Sequence, residues 1–274
     1  MATIDTAPRL AARRRRALRA LAVLVSGAFA GVVPLGASGQ APTGIARVKP
    51  SVVAIGTFQA TRVPQFRFRG TGFVVGDGTM AVTNAHVLPE ALDAGADPET
   101  LVALLPGDEP SRTAARRLTR VAVDGEHDLA LMKMAGEAMP ALALRDSASV
   151  AEGDSLLFTG FPIGTALGLF PATHRAMVAA IVPVAMPSPS GRQLDARVVR
   201  RLRESAFPVF QLDATAFPGN SGSPLYDPAT GDVVGILNMV FVKSTKEAAL
   251  AQPSGISYAI PSRYLIGLLG RVKP

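Results

Sequence analysis

The sequence of 274 residues predicts an all-β protein whose strands form an antiparallel sandwich or barrel. Most of the chain after residue 41 consists of short runs that are β-branched or that alternate apolar and polar residues. Glycine, proline and aspartate separate these runs, and helical periodicity is confined to two segments. Hydrophobic residues make up 48% of the chain and charged residues 18%, which favours a packed core over disorder.

The predicted strands fall into two series. The first series is SVVAIGTF, GTGFVVG, MAVTNAHVL, LVALLP, TRVAVDG and DLALMKM, and the second is DSLLFTGFP, ATHRAMVAAIVPV, PVFQLDA, GDVVGILNMVFV and GISYAI. Within the first series, Asp77 and Gly78 predict the turn of a hairpin. The alanine- and proline-rich segment 135–152 separates the series, so we expect one domain over 42–140 and another over 141–274.

Two helices are predicted beside the strands. QLDARVVRRLRESA, residues 193–206, carries Leu194, Val198 and Leu202 at a spacing of four and reads as a short amphipathic helix with an arginine-rich solvent face. The C-terminal segment predicts a helix that begins at a Ser262 cap and packs on the second series of strands. Its apolar face consists of Leu265, Leu268, Leu269 and Val272.

Residues 1–41 have the order of a signal peptide: a basic stretch, an apolar stretch of about a dozen residues, then small residues. The alternative is a membrane anchor, but Gly27, Gly31 and Pro34 interrupt the apolar run, which is also short for a span. We therefore expect cleavage near residues 37–41, no stable membrane span afterwards, and a periplasmic or secreted protein. Either Sec or twin-arginine export fits the arginines.

The charge distribution argues against a nucleic-acid partner. Of the net charge of +7, +5 lies in residues 1–41, where six arginines face Asp5 alone, so the rest of the chain carries only +2. The absence of cysteine excludes disulfides and thiolate metal sites. The histidines are widely separated and form no zinc-protease motif, so we expect neither a metal nor a cofactor.

The stretch FPGNSGSPL, residues 217–225, surrounds Ser221 with turn-forming residues. It is either a surface turn or a loop that presents a nucleophile and binds an oxyanion with its amides. A serine nucleophile needs a histidine base, and that base works best when a carboxylate orients it. Of the three histidines, His86 ends an apolar strand, whereas His127 and His174 read as polar strand residues.

Chain order selects among the known arrangements of such groups. No histidine follows Ser221, which excludes the order found in α/β-hydrolases, and the subtilisin order would require an acid within the same hairpin as His86. The order His86, Asp128, Ser221 is that of the chymotrypsin scaffold.

The motifs GTGFVV…AVTNAHVL, HDLALMKM, LDATAFPGNSGSPLYD and GISYAIPS resemble, in this order, those of the HtrA/Deg-type trypsin-like serine proteases. The resemblance covers about residues 45–270 and implies two six-stranded antiparallel β-barrels with the active site between them. It implies that His86 is the general base, Asp128 its orienting carboxylate and Ser221 the nucleophile. It also implies an oxyanion hole at Gly219, Asn220 and Ser221, with the amides of the first and last as donors, and a Gly222 that leaves room for close packing of the barrels.

The resemblance predicts a secreted serine endopeptidase that cleaves unfolded or misfolded polypeptides, a role in protein quality control. The alternative is a catalytically silent pseudoprotease that binds peptides or a partner in the same cleft. Three departures from the family are expected. Ser223 stands where the family usually has a second glycine after the nucleophile, no PDZ domain follows the C-terminal helix, and the segment 185–206 is long enough to cover or reshape the cleft. The sequence gives no indication of the oligomeric state.

The substrate pocket is predicted by position in the trypsin-like fold. Six residues before Ser221, at the floor of the pocket, stands Thr215, and the facing wall is assigned to Ile236, Leu237 and Asn238. A neutral floor offers no partner for a buried guanidinium, so we expect cleavage after small or medium aliphatic residues.

Overall fold

The computed structural model describes residues 43–105, 115–164, 168–184, 206–238 and 255–272. The predicted signal peptide and the segment 185–205, which holds nearly all of the predicted arginine-rich helix, lie outside the described residues. Two helices flank the strands in the described part of the chain: α1 (Thr43–Val48) and α2 (Ser262–Arg271).

The strands form two closed antiparallel barrels of six strands each. The first barrel consists of β1 (Val52–Phe58), β2 (Phe66–Val75), β3 (Met80–Asn84), β4 (Thr100–Leu104), β5 (Ala115–Asp124) and β6 (Leu129–Met134). The second consists of β7 (Ser155–Gly160), β8 (Ala172–Val184), β9 (Phe207–Asp213), β10 (Pro224–Tyr226), β11 (Val233–Asn238) and β12 (Ile256–Pro261).

Both barrels have the same connectivity. Around the first, the strands follow one another as β1-β2-β3-β6-β5-β4, and around the second as β7-β8-β9-β12-β11-β10. The predicted fold class, two six-stranded antiparallel barrels with a C-terminal helix, is confirmed. The hairpin predicted at Asp77–Gly78 joins β2 to β3, and the Asp77 carboxylate accepts the Thr79 amide at 2.9 Å.

The sequence did not predict β10 as a strand. β10 is only three residues long and runs directly out of the serine-containing loop, so it has no periodic pattern of its own. Its identity is decided by its neighbours, because it pairs with β7 on one side and β11 on the other and so closes the barrel.

Apolar side chains form three buried clusters, one inside each barrel and one between them. The cluster between the barrels draws on both halves of the chain, including Phe73, Leu131, Phe161, Tyr226, Ile236 and Leu265. Burial of apolar surface on this scale is the main favourable term that holds the two barrels at a fixed separation. The two barrels therefore share a packed core.

The segment that joins the barrels adds backbone hydrogen bonds to both. The amide of Leu142 donates to the carbonyl of Val74 in β2 at 2.8 Å, and the amide of Arg145 donates to the carbonyl of Val233 in β11 at 2.9 Å. A connection of this kind restrains the barrels from both sides, because each bond would be lost if they separated.

The C-terminal helix packs as predicted, but its start differs. Leu265 is fully buried and Leu268 is 3% exposed, so the predicted apolar face contacts the core. The predicted Ser262 cap is wrong, because Ser262 makes no capping hydrogen bond and its hydroxyl donates to the Arg145 carbonyl at 2.5 Å. Neither this helix nor any other in the described part of the chain has the length and apolarity needed to span a bilayer.

Candidate active site

His86 lies in a short turn that directly follows β3 of the first barrel. The apolar run of β3 ends at Asn84, and a single 3-10 turn, Ala85–Val87, follows it. Val87 packs into the interior of the barrel, whereas 32% of the His86 side chain is exposed. The buried side chain of Val87 thus fixes the position of the turn, while the imidazole ring of His86 stays accessible.

Asp128 lies directly before β6 in a backbone conformation that is rare for aspartate. Its φ is +52°, and its carbonyl accepts the Ala85 amide at 3.0 Å and the Asn84 side-chain amide at 3.1 Å. A left-handed conformation costs about 1–2 kcal/mol for a residue with a side chain. These two contacts hold the carbonyl in place and aim the carboxylate at His86.

The carboxylate of Asp128 is buried, 3% exposed, and accepts three hydrogen bonds. One oxygen, Oδ1, accepts the His86 backbone amide at 2.8 Å. The other, Oδ2, lies 2.5 Å from His86 Nδ1 and accepts the side-chain amide of Asn238 at 2.7 Å. Because the carboxylate accepts at Nδ1, it favours the tautomer that leaves Nε2 free to take a proton.

The contact with Asn238 crosses between the barrels, since Asp128 precedes a strand of the first barrel and Asn238 ends β11 of the second. The Asn238 side chain is fully buried. Hydrogen bonds offset the cost of removing a carboxylate from water, so the docking of the second barrel completes the environment of Asp128.

The loop at residues 217–223 carries two glycines whose backbone other residues adopt at a cost. Gly219 has φ +102° and Gly222 has φ +87°. A Cβ at Gly219 would lie 2.3 Å from the Phe161 carbonyl, and one at Gly222 would lie 2.1 Å from the Thr71 carbonyl in β2. The prediction that Gly222 leaves room for the first barrel is confirmed.

All four carbonyl oxygens of residues 218 to 221 are engaged. In chain order they accept from the amide of Ile163 (2.7 Å), the hydroxyl of Thr71 (2.7 Å), the amide of Ser223 (3.0 Å) and the amide of Thr71 (2.9 Å). In a trans peptide the carbonyl and the following N–H point in opposite directions. Fixing the carbonyls therefore fixes the directions of the N–H groups as well.

Between Gly219 and Gly222, two amides have no acceptor among the described residues. The Asn220 amide donates to the Phe217 carbonyl at 3.0 Å and the Gly222 amide to the Leu237 carbonyl at 2.9 Å, whereas those of Gly219 and Ser221 are unpaired in the described part of the structure. Of the three residues predicted for an oxyanion hole, Asn220 therefore has its amide engaged within the turn.

Ser221 and the His86 turn both lie close to Gly70 in β2. A Cβ at Gly70 would be 2.8 Å from a methyl group of Val87 and 3.1 Å from the Ser221 carbonyl oxygen. The serine is 7% exposed, and its hydroxyl makes no hydrogen bond to any described residue. In an unliganded site such a bond commonly forms only when substrate binds.

The predicted substrate pocket is not formed by the side chains assigned to it. Thr215, the predicted floor, is exposed. The three assigned wall residues are each fully buried: Ile236 packs between the barrels, Leu237 packs inside the second barrel, and Asn238 binds Asp128. The assignment of these three side chains to the wall is wrong, because alternate residues of β11 face two different cores.

The remaining histidines lie in aromatic surroundings. His127 stacks on Tyr264 of α2 at 4.1 Å between ring centroids, and its Nδ1 lies 3.0 Å from the Asp124 carboxylate. His174 stacks on Phe158 at 4.9 Å, and burial lowers its pKa below the ordinary value. Their predicted reading as polar strand residues understated these contacts.

Sequence reasoning also missed two polar residues that support the site. Asn84 is fully buried and binds the carbonyl of Asp128, and Thr71 is fully buried and binds the serine loop. The signal available in the sequence was a polar side chain inside an apolar strand, since buried polar groups need partners. That signal does not say which partner.

The chain is similar to a known family and to proteins of that kind. A family model described as a trypsin-like peptidase domain matches residues 70–236. A probable periplasmic serine endoprotease, DegP-like, from Hahella chejuensis is 31% identical over 204 residues, covering 74% of this chain and 35% of the relative. One of the same description from Halomonas elongata is 30% identical over 199 residues, covering 71% of this chain and 33% of the relative. The chain spans about a third of the length of these relatives.

Solved structures share the fold. The HtrA-type protease AlgW with decapeptide has a TM-score of 0.59 at 22% identity, covering 85% of this chain and 67% of that one. The active form of the Rv3671c protease from M. tuberculosis has a TM-score of 0.59 at 22% identity, covering 84% of each chain.

Proposed function

The chain belongs to the trypsin-like peptidase family, as its resemblance to HtrA/Deg-type proteases predicted, and on this basis we propose that it is a serine endopeptidase. The observation that carries the proposal is the hydrogen-bonded pair of His86 and Asp128, with Nδ1 and Oδ2 2.5 Å apart at the cleft. A buried carboxylate that accepts from Nδ1 is the arrangement that prepares an imidazole to act as a general base at Nε2.

In the proposed reaction, Ser221 Oγ attacks the carbonyl carbon of the peptide bond while His86 Nε2 takes the hydroxyl proton. The C–N bond then breaks as the imidazolium returns that proton to the leaving amine. Water, deprotonated by His86 Nε2, then attacks the acyl carbon; the ester bond to Ser221 breaks as the imidazolium returns the proton to Ser221 Oγ, which frees the acid product. Asp128 stays ionised throughout and stabilises the imidazolium.

The amides of Gly219 and Ser221 are the proposed donors to the oxyanion. Both are unpaired among the described residues, and the carbonyls of their own peptide groups, at Pro218 and Asn220, are held by hydrogen bonds. Donors held before the reaction need no reorganisation when negative charge develops, which makes them effective. The amide of Asn220 is not assigned this role, because it donates to Phe217 within the turn.

The experiment that tests the function is cleavage of fluorescently labelled, denatured casein by the purified chain. Ser221→Ala removes the nucleophile, and we expect kcat to fall by about 10³-fold or more while the fold is retained. His86→Ala on top of it should add little, because triad members act as a unit. Unchanged cleavage by the Ser221→Ala protein would refute the proposal. Failure of a fluorophosphonate probe to label wild-type Ser221 would favour the pseudoprotease.

We further propose that the chain acts outside the cytoplasm on unfolded or misfolded polypeptides. The support is the basic-apolar-small order of residues 1–41 together with the description of its relatives as periplasmic endoproteases. An extended segment is what a cleft between two rigid barrels can admit, so unfolded chains are the substrates that fit. Cleavage of denatured casein is compared with cleavage of a tightly folded protein of similar size under the same conditions. Faster cleavage of the denatured substrate is expected.

A further inference from the structure

We propose that the hydroxyl group of Thr71 is a positioning group for the serine loop, residues 217–223. It holds the peptide group between Gly219 and Asn220, and through it the adjoining amides, in the orientation that binds the oxyanion. The inference rests on the proposed function, because it deepens the account of how the oxyanion donors are placed.

Thr71 lies in β2 of the first barrel and is fully buried. Its Oγ1 donates to the Gly219 carbonyl at 2.7 Å and accepts the Phe161 amide at 3.0 Å. One hydroxyl thus joins two segments of the second barrel that are far apart in the sequence. A hydroxyl can serve both partners because it carries one donor and two acceptor lone pairs.

The backbone of Thr71 holds the same loop at a second point. Its amide donates to the Ser221 carbonyl at 2.9 Å, so a single residue binds the carbonyls on both sides of the peptide group that carries the Ser221 N–H. Of the four bonds to the carbonyls of residues 218–221, only the one to Gly219 comes from a side chain. It is therefore the bond that a substitution can remove while the backbone pairing stays.

Gly219 is the point of the loop where such a restraint has most effect. Its φ of +102° belongs to a region that glycine enters and leaves easily, so its own conformational preference does not hold the peptide. A Cβ, which would restrict the backbone, is excluded because it would lie 2.3 Å from the Phe161 carbonyl. The restraint has to come from outside the loop, and the Thr71 hydroxyl supplies it.

The test compares Thr71→Val with the wild-type chain on labelled, denatured casein. Valine keeps the shape and the backbone amide but leaves the Gly219 carbonyl and the Phe161 amide without their partner. We expect kcat to fall about 10- to 100-fold with KM within about twofold, since misplaced oxyanion donors act on the transition state. Thr71→Ser restores the hydroxyl and should return kcat to within about threefold of wild type.

The matched control is Thr159→Val. Thr159 is also a fully buried threonine, but its hydroxyl bonds to the hydroxyls of Thr173 and Tyr226, each at 2.8 Å, and not to the loop. Both variants lose a buried hydroxyl, so both should lose stability, whereas only Thr71→Val should lose kcat. Equal kcat losses in the two variants, or no loss in Thr71→Val, would overturn the inference.

Amide hydrogen exchange gives a readout that does not depend on turnover. Peptic fragments that cover 217–223 should exchange at least about tenfold faster in Thr71→Val and at the wild-type rate in Thr159→Val. If the wild-type chain cleaves nothing, the proposed function fails, and this measurement alone decides the role of Thr71. Unchanged exchange in Thr71→Val would overturn it.

Discussion

Single side chains decide how the acid of the site is held. Asp128 is buried in a left-handed conformation, and its carboxylate is satisfied by two groups of His86 and by Asn238. Hydrogen bonds to charged groups contribute roughly 1.5–3 kcal/mol each, more than neutral ones. The Asn238 amide is therefore a substantial part of what holds this carboxylate in its orientation.

At this scale we predict that Asn238→Leu lowers kcat about tenfold while KM changes less than about twofold. The variant removes one donor from Asp128 Oδ2 and leaves the bond to His86 in place. Casein kinetics measure the effect. Asn238→Asp is the sharper companion, since it replaces the donor with a second carboxylate that repels the first, and it should lower kcat further than Asn238→Leu. Full activity of Asn238→Leu would contradict the role given to Asn238.

His174 carries a prediction about acid stability. Burial lowers its pKa from the ordinary 6.5, so the unfolded chain binds this proton more readily than the folded one. The free energy of unfolding should therefore fall as the pH drops below about 6.5, because the unfolded chain then gains a proton that the partly buried ring of the folded chain resists. His174→Phe should stack on Phe158 and abolish this part of the pH dependence. Urea unfolding at pH 7.5 and pH 5.5 measures it, and identical pH dependence in both proteins would show that another group is responsible.

Elements meet at glycines where the two barrels touch. β2 of the first barrel and the serine loop of the second approach so closely that a Cβ at Gly222 would lie 2.1 Å from the Thr71 carbonyl and 2.4 Å from the Thr83 hydroxyl. The same approach makes the hydrogen bonds of Thr71 to the loop possible. The geometry of the loop therefore depends on the absence of a side chain at Gly222.

We predict that Gly222→Ala destabilises the chain by about 3 kcal/mol or more, the sum of a strained backbone and overpacking. Gly76→Ala is the matched control. Its φ of +67° is also left-handed, but no atom lies within 4 Å of the position of a Cβ, so only the backbone term of about 1–2 kcal/mol applies. Urea midpoints compare the two. Similar losses of stability in the two variants would mean that steric overlap at Gly222 adds nothing to the cost of its left-handed backbone.

For the whole molecule, the cluster between the barrels and the C-terminal helix determine whether the cleft keeps its shape. Leu265 of α2 is fully buried in that cluster, beside residues of both barrels. The same helix carries Tyr264, which stacks on His127, the residue directly before Asp128. The packing of α2 therefore extends, through Tyr264 and His127, to the segment that carries Asp128.

Leu265→Ala should therefore lower the free energy of unfolding by about 2–5 kcal/mol, through lost burial and the cavity left behind. Ile266→Ala, on the same helix but 39% exposed, should cost less than about 1 kcal/mol. Thermal and urea unfolding measure both. A loss for Ile266→Ala as large as that for Leu265→Ala would contradict the observed face of the helix.

Export remains a prediction for the molecule as a whole. We expect the exported protein to begin near residues 38–42, since the small residues that end the leader suit a signal peptidase. Intact mass of the protein recovered outside the cytoplasm checks this. A mass that retains residues 1–37 would indicate an uncleaved anchor.

Local pattern was sufficient for eleven of the twelve strands of the described barrels and for the C-terminal helix, because alternation and helical periodicity are written in neighbouring residues. It was also sufficient to select His86, Asp128 and Ser221 as candidates, since three histidines and one serine loop in a fixed order leave few arrangements. In the structure, His86 Nδ1 lies 2.5 Å from Asp128 Oδ2, and the catalytic role of the three residues stays a prediction.

Tertiary structure decided what depends on contacts between distant segments. Periodicity could not reveal that β10 is a strand, since three residues acquire that state only by pairing with β7 and β11. It could not tell which core each side chain of β11 enters, and so the pocket wall was misassigned. The partners of Thr71, Asn238 and Ser262 lie 148, 110 and 117 residues away. The type of a polar residue shows that it needs a hydrogen-bond partner when it is buried. Only the packing of the two barrels brings that partner within hydrogen-bonding distance.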